Sequence, residues 1–240
     1  MTDIETLETI KTRGYWRINF EPLVYDKEKL KTLGDCKDIV EKENVVLRGW
    51  NYPHFPRRVG DDAGLETGAN YYEGWIAWWN HIELWRMYQS GQFIHYVALR
   101  DDWSEKDGWG IVEDRNIPTG TELNVIGELI YELTEIYEFL ARLTKRGLYD
   151  EGVRVSISLN NTENRTLVLR DPMRFGLRDE YTTRLKNIPF EKEYSKEEIL
   201  TNSKGLAFEA ILYILERFGW HNPPIEVFQN DQENLLNRRL

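Results

Sequence analysis

The chain has little sulfur chemistry to offer. Its only cysteine, Cys36, can form no internal disulfide, which makes a reducing cytoplasm the expected setting. It also lacks any apolar run approaching the roughly 20 residues that a membrane helix needs. The opening MTDIETLETIKTRG is polar and acidic, without the apolar core of a signal peptide. Histidine is scarce, and none of His54, His81, His95 and His221 pairs with another at a ligand spacing. His81-Ile82-Glu83 has the order of a zinc-deaminase motif, but the Pro-Cys-x-x-Cys partner is missing. No metal and no cofactor are therefore expected. Positive charge is outweighed, 31 Lys and Arg against 41 Asp and Glu, for a net charge of −10. That disfavours a protein that coats nucleic acid, where phosphate neutralisation supplies most of the affinity. Gly60, Gly64 and Gly68 lack the Lys-Ser/Thr ending of a phosphate loop, and no Gly-x-Ser-x-Gly turn exists. Cys36 falls in a predicted helix and reads as a small core residue. The acidic pairs Asp61-Asp62, Asp101-Asp102 and Glu113-Asp114 read as solvated loops. No motif fixes a reaction.

What is present is an aromatic centre. Four of the nine tryptophans lie between Asn70 and Asp102. Ser90-Gly91 and Asn80-His81 read as turns. They predict a three-stranded meander over about 72–79, 82–89 and 92–100. This register sets Trp85 opposite Tyr96 and Ile76, Arg86 opposite His95 and Trp75, and Tyr88 opposite Phe93 and Glu73. Both faces are largely apolar, so both should be covered. Trp75, Trp78, Trp79, Ile82 and Trp85 also fall at helical spacing, which leaves a helix to about Tyr88 as the rival.

Around this centre, 4–12 predicts a short helix, 15–23 a strand by its alternation of Trp16, Ile18 and Phe20, and 27–43 a helix weakened at Gly34. Residues 45–50 suggest a strand, and 59–69, rich in Gly and Asp, a mobile stretch. Trp103 and Trp109 read as packing anchors of a polar stretch. From Thr121 an apolar stripe including Leu123, Ile126, Leu133, Ile136 and Leu140 predicts a helix of about 25 residues. Val153 to Leu159 alternates as a strand, with Leu167 and Leu169 on a return strand. Residues 171–193 are charged and irregular, with room for one further short strand. Ser195 and Glu198 form a capping box. Helices over 196–202, 204–218 and 225–239 follow. The fold class is α+β: an antiparallel sheet, the central meander, covered by helices, with a helical C-terminal region. Residues 1–194 form the core domain, and 195–240 a helical appendage of the same globular unit.

Two groups of residues stand out chemically. RGWNYPHFPRR, from Arg48 to Arg58, is the binding candidate. Arg48, Arg57 and Arg58 suit bidentate contacts to phosphate, and Trp50, Tyr52 and Phe55 suit stacking on bases. His54 joins this set. The bland alternative turns the aromatics inward and pairs the arginines with acids. Glu73, Arg86 and His95 form the catalytic candidate, since the expected register places them together on one face, where they could move a proton. Its bland alternative is a buried ion pair beside a satisfied histidine.

RGWNYPH at Arg48 and WRMYQSGQF from Trp85 together resemble regions of uncharacterised bacterial proteins, some of which carry a Schlafen-type AlbA-like DNA-binding domain. The resemblance covers roughly residues 1–150 and assigns no residue a role. It implies a bacterial regulatory or defence context. The leading expectation is a non-enzymatic cytoplasmic module that binds a protein or a nucleotide-type ligand. A hydrolase or nuclease on a phosphate substrate, and a structural subunit of an assembly such as a homo-oligomer, are the alternatives.

Overall fold

The computed structural model describes residues 2–106, 120–171, 174 and 176–239. Helix α1 (Asp3–Lys11) leads into strand β1 (Tyr15–Pro22), and α2 (Leu33–Glu43) follows. Short strands β2 (Val45–Val46) and β3 (Asn51–Tyr52) pair with each other. Then β4 (Ala63–Thr67), β5 (Tyr71–Trp78), β6 (His81–Tyr88) and β7 (Phe93–Ala98) run as an antiparallel meander. Strand β8 (Glu122–Asn124) precedes a π-helical segment, Val125–Tyr131, that continues as α3 (Glu132–Lys145). Strands β9 (Val153–Asn160), β10 (Thr166–Val168) and β11 (Asn187–Tyr194) and helices α4 (Lys196–Arg217) and α5 (Ile225–Leu236) complete the chain. The main sheet has the order β11-β9-β1-β7-β6-β5-β4 and is antiparallel throughout. The chain is α+β, and the tryptophan-rich centre is strand, not helix.

Side-chain alternation sorts the sheet into two faces. One carries Trp16, Ile18 and Phe20 of β1, Trp85 and Met87 of β6, Phe93 of β7 and Ile157 of β9, all buried in the main core. Leu133, Ile136, Phe139 and Leu140 of α3 join that core, as do Leu206, Ile211 and Leu215 of α4. The other face carries Trp75, Ile82, Leu84 and Ala98, buried with Ile10 of α1 and Trp103. Trp109 lies outside the described residues.

The meander's register differs from the expected one in a way that matters for function. Trp85 pairs with His95 and Gly74, and Arg86 with Ile94 and Glu73. The β6–β7 loop has three residues, Gln89-Ser90-Gly91: the Tyr88 and Gly91 amides bond to the carbonyls of Gln92 and Tyr88, each at 2.9 Å. Gly91 supplies the left-handed conformation, φ 83°, that such a loop needs. One extra loop residue shifts the pairing by one and exchanges the faces. At the other turn, Trp78 pairs with His81, so the loop is Trp79-Asn80 rather than Asn80-His81.

Other differences have local causes. Ala63–Thr67, within the stretch expected to be mobile, is an edge strand, with Leu65 packed against the main core. Strand β10 pairs in parallel with β8 and is no return strand; β9 pairs instead with the eight-residue β11. The helix expected from Thr121 begins at Val125, after β8. Of the stretch 27–43, only Leu33–Glu43 is helical, its start set by a Thr32–Asp35 capping box. The Ser195–Glu198 capping box starts α4, which kinks at non-helical Asn202 (φ −144°).

Candidate functional site

Arg48 to Arg58 lies across the sheet face that carries Trp85 and His95, and its two ends have opposite fates. Arg48 turns inward. Its guanidinium donates to Glu132 at 2.6 Å, to Glu135 at 2.9 Å and to the Gly127 carbonyl of the π-helical segment at 2.9 Å. Burial disfavours its charge, but Glu135 and Glu132 outweigh burial and raise its pKa further. The helix around them is rich in buried acid. Burial pushes Glu135 upward against the pull of Arg48. Burial, reinforced by Asp101, pushes Glu128 up to about 8.

The middle of the segment is fixed by Glu83 on β6. One carboxylate oxygen accepts from Trp50 Nε1 at 3.1 Å. The other accepts from the His54 amide at 3.0 Å and meets His95 Nε2 at 2.8 Å. Burial alone would raise the pKa of Glu83, but the hydrogen bond and charge of His95 hold it at about 2. The far nitrogen of His95 reaches Tyr52 Oη at 3.1 Å, and burial pushes that phenol well above its ordinary range. Trp85 Nε1 donates to the His54 carbonyl at 2.8 Å, and Phe55 stacks on the Trp85 indole. A buried carboxylate supplied with donors from three directions is a stable arrangement; the same carboxylate without them would not be.

Trp50 is clamped. His54 stacks on it at 4.1 Å and 18°, and His81 at 3.9 Å and 17°. Burial lowers both imidazoles, His81 to about 3 with help from Arg100, so both stack as neutral rings at pH 7. Both faces of the Trp50 indole are thus occupied by the protein itself. Trp78 meets its edge at 6.3 Å and 78°.

The other end of the segment opens outward. A groove of about 660 Å³ is walled by Trp50, His54, Phe55 and Trp78, with Arg57 and Arg58 among its lining residues. Asn44 and Asn51 add amide groups to it, and Glu41 a carboxylate. The volume falls in the range of small-molecule sites, roughly 300–1,000 Å³. Arg57 and Arg58 are exposed, and no ion pair holds either one among the described residues. A second cavity, beside His81, Glu83 and Arg100, is only about 10 Å³, which suits roughly one water.

The structure thus gathers Trp50, His54, Arg57 and Arg58 at the groove and places Arg48 and Tyr52 behind it. The register separates the catalytic candidates. Glu73 and Arg86 face each other at 2.5 Å beside Asp3 of α1, while His95 lies on the opposite face with Glu83. Burial raises the Glu73 pKa in spite of Arg86. Glu83, His81 and Trp78 belong to the site without having been singled out for it. Glu83 had a signal: it alternates with Trp85 and Met87, so an acid pointed inward and had to find donors. Cys36 is buried, and burial pushes its thiol up to about 11, which disfavours the reactive thiolate at neutral pH. Among the described residues, no three His, Cys, Asp or Glu side chains gather where they could hold a metal ion. Among the same residues, no helix is long and apolar enough to cross a membrane.

Fold and groove together define an α+β protein with a preformed, aromatic-walled and arginine-bearing cleft. Comparison with family models, with curated proteins and with solved structures gives no match.

Proposed function

We propose that the chain is a non-enzymatic cytoplasmic binding module whose groove takes a small ligand of nucleotide type, in a bacterial regulatory or defence context. The observation that carries this is the Arg57–Arg58 pair, held by no ion pair among the described residues, beside the aromatic wall of the groove. In a chain of net charge −10, nearby acids would be expected to neutralise such arginines, as Glu132 and Glu135 do Arg48. Two exposed guanidinium groups fit an anionic group, to which they can donate bidentately. The aromatic wall fits a planar ring. Neutral, ring-stacked histidines and a saturated Glu83 give the wall rigidity, which limits the ordering that binding would otherwise cost.

A hydrolase centred on Glu73, Arg86 and His95 has no such support, because the sheet lies between His95 and the other two. The test is calorimetric titration with adenosine, guanosine and uridine 5′-monophosphates. The wild-type chain should bind at least one, and Arg57→Ala with Arg58→Ala should weaken that binding tenfold or more. Equal affinity in the double variant would rule out the groove.

A further inference from the structure

Among the described residues Glu41 is the one acid that lines the groove, and folding alone does not explain it. It lies in the last turn of α2, where the partial negative charge of the helix end disfavours a carboxylate. The cations around it are engaged elsewhere. Lys42 pairs with Asp38 at 2.7 Å, Arg146 with Glu43 at 2.6 Å and Arg142 with Glu138 at 3.0 Å. Arg57 and Arg58 share the groove with Glu41, yet no ion pair joins them to it among the described residues. The end of α2 is nonetheless well fixed. Asn44 Nδ2 donates to the Glu41 carbonyl at 2.7 Å, and Arg142 donates to the Asn44 carbonyl at 2.7 Å. An exposed acid is thus held at a groove beside two arginines that it does not neutralise.

Opposite charges that line one groove without meeting sort the two ends of a ligand. An anionic group is drawn to Arg57 and Arg58 and repelled by Glu41. A carboxylate only accepts hydrogen bonds, so the group it favours is a donor. On a nucleotide base that donor is an exocyclic amino group, carried by adenine, guanine and cytosine and missing from uracil. We infer that Glu41 is the specificity-determining residue of the groove: it accepts from an amino group on the base of a nucleoside phosphate whose anionic end lies at Arg57 and Arg58. This rests on the groove being the ligand site, and it narrows the ligand to nucleotides with an amino-bearing base. It also brings α2, outside the Arg48–Arg58 segment, into the site.

Two pairs of ligands isolate the amino group: adenosine against purine riboside 5′-monophosphate, and guanosine against inosine 5′-monophosphate. Ribose 5-phosphate supplies the anionic end alone. All five are titrated calorimetrically into wild type, Glu41→Gln, Glu41→Ala and the Arg57→Ala, Arg58→Ala double variant, and each melting temperature is recorded. In at least one pair the wild type should bind the amino-bearing member about tenfold tighter, the scale of one charge-assisted hydrogen bond. Both Glu41 variants should reduce that preference to about threefold or less. Both should bind ribose 5-phosphate at least as tightly as the wild type, since an acid has left an anion site, and should melt at or above its temperature, since the helix end loses an unfavourable charge. The arginine variant should weaken every ligand. No preference within either pair in the wild type, or a preference that survives Glu41→Ala, would overturn the role given to Glu41. So would equal weakening of all five ligands in both Glu41 variants with a lower melting temperature, which would make Glu41 structural. If the arginine variant still loses binding in those cases, the groove itself stands. Failure of the wild type to bind any of the five would instead remove the groove, and this inference with it.

Discussion

Arg48 and the Arg57–Arg58 pair are the same residue type, nine and ten positions apart on one segment, and they do different work. Arg48 is enclosed by Glu132, Glu135 and the Gly127 carbonyl. Arg57 and Arg58 stand at a groove, and among the described residues no ion pair holds either one. The difference lies in what the helix beneath presents. The π-helical segment and α3 bring buried acid up to the start of the segment, and Glu83 fixes its middle. Beyond Pro56 the side chains turn to the groove, where Glu41 lines the same space yet forms no ion pair with Arg57 or Arg58 among the described residues. A guanidinium becomes structural where carboxylates meet it and available where they do not.

That contrast can be broken from its buried end first. Arg48→Ala leaves two acids buried without their cation, and should cost about 3–5 kcal/mol in urea denaturation. Glu83→Ala removes the acceptor shared by Trp50, the His54 amide and His95, and should cost about 3 kcal/mol by the same measurement. It should also weaken nucleotide binding, because the Trp50–His54 wall loses its support. The wild-type contribution of Glu83 has a definite pH sense. Its folded-state pKa, about 2, lies below that of an unfolded glutamate, so the stabilisation is present above about pH 4.3 and is lost as pH falls through 2.

Glu128 should behave in the opposite way. Its folded-state pKa, about 8, lies above the unfolded value, so its stabilisation is complete below about pH 4.3 and is lost as pH rises through 8. Glu128→Gln should therefore flatten the decline of stability with rising pH, by up to about 1.4 kcal/mol per pH unit. Urea midpoints between pH 5 and pH 8.5 check this, and an unchanged slope would show that Glu128 ionises normally. At the open end, Arg57→Ala and Arg58→Ala should each change stability by no more than about 0.5 kcal/mol, as exposed substitutions do. A larger loss at either would mean that the pair is structural too.

Much of the architecture was legible in local signals. The alternation of Trp16, Ile18 and Phe20 marks β1, and Ser195 with Glu198 marks the start of α4. The Ser90-Gly91 turn and the weaker Asn80-His81 signal locate the three central strands. Those same turns could not reveal their loop lengths, and one residue of loop decided which face His95 joins. Sequence spacing also gave no sign that β10 pairs with distant β8, or that Asn187–Tyr194 extends the main sheet at its edge, where Asn187, Pro189 and Glu191 alternate with Ile188 and Phe190. For the site, arginine and aromatic density marked the right segment. Which arginines stay free depends on Glu132 and Glu135, more than eighty residues away in the chain, and local pattern carries no trace of that.

The most direct test is a crystal structure of the wild-type chain grown with adenosine 5′-monophosphate. Density in the groove should place the phosphate on Arg57 and Arg58 and the adenine at Trp78, with Trp50 still sandwiched between His54 and His81. Adenine inserted between Trp50 and either histidine, or a phosphate bound at Arg48 in place of Glu132 and Glu135, would contradict the division of labour within the segment.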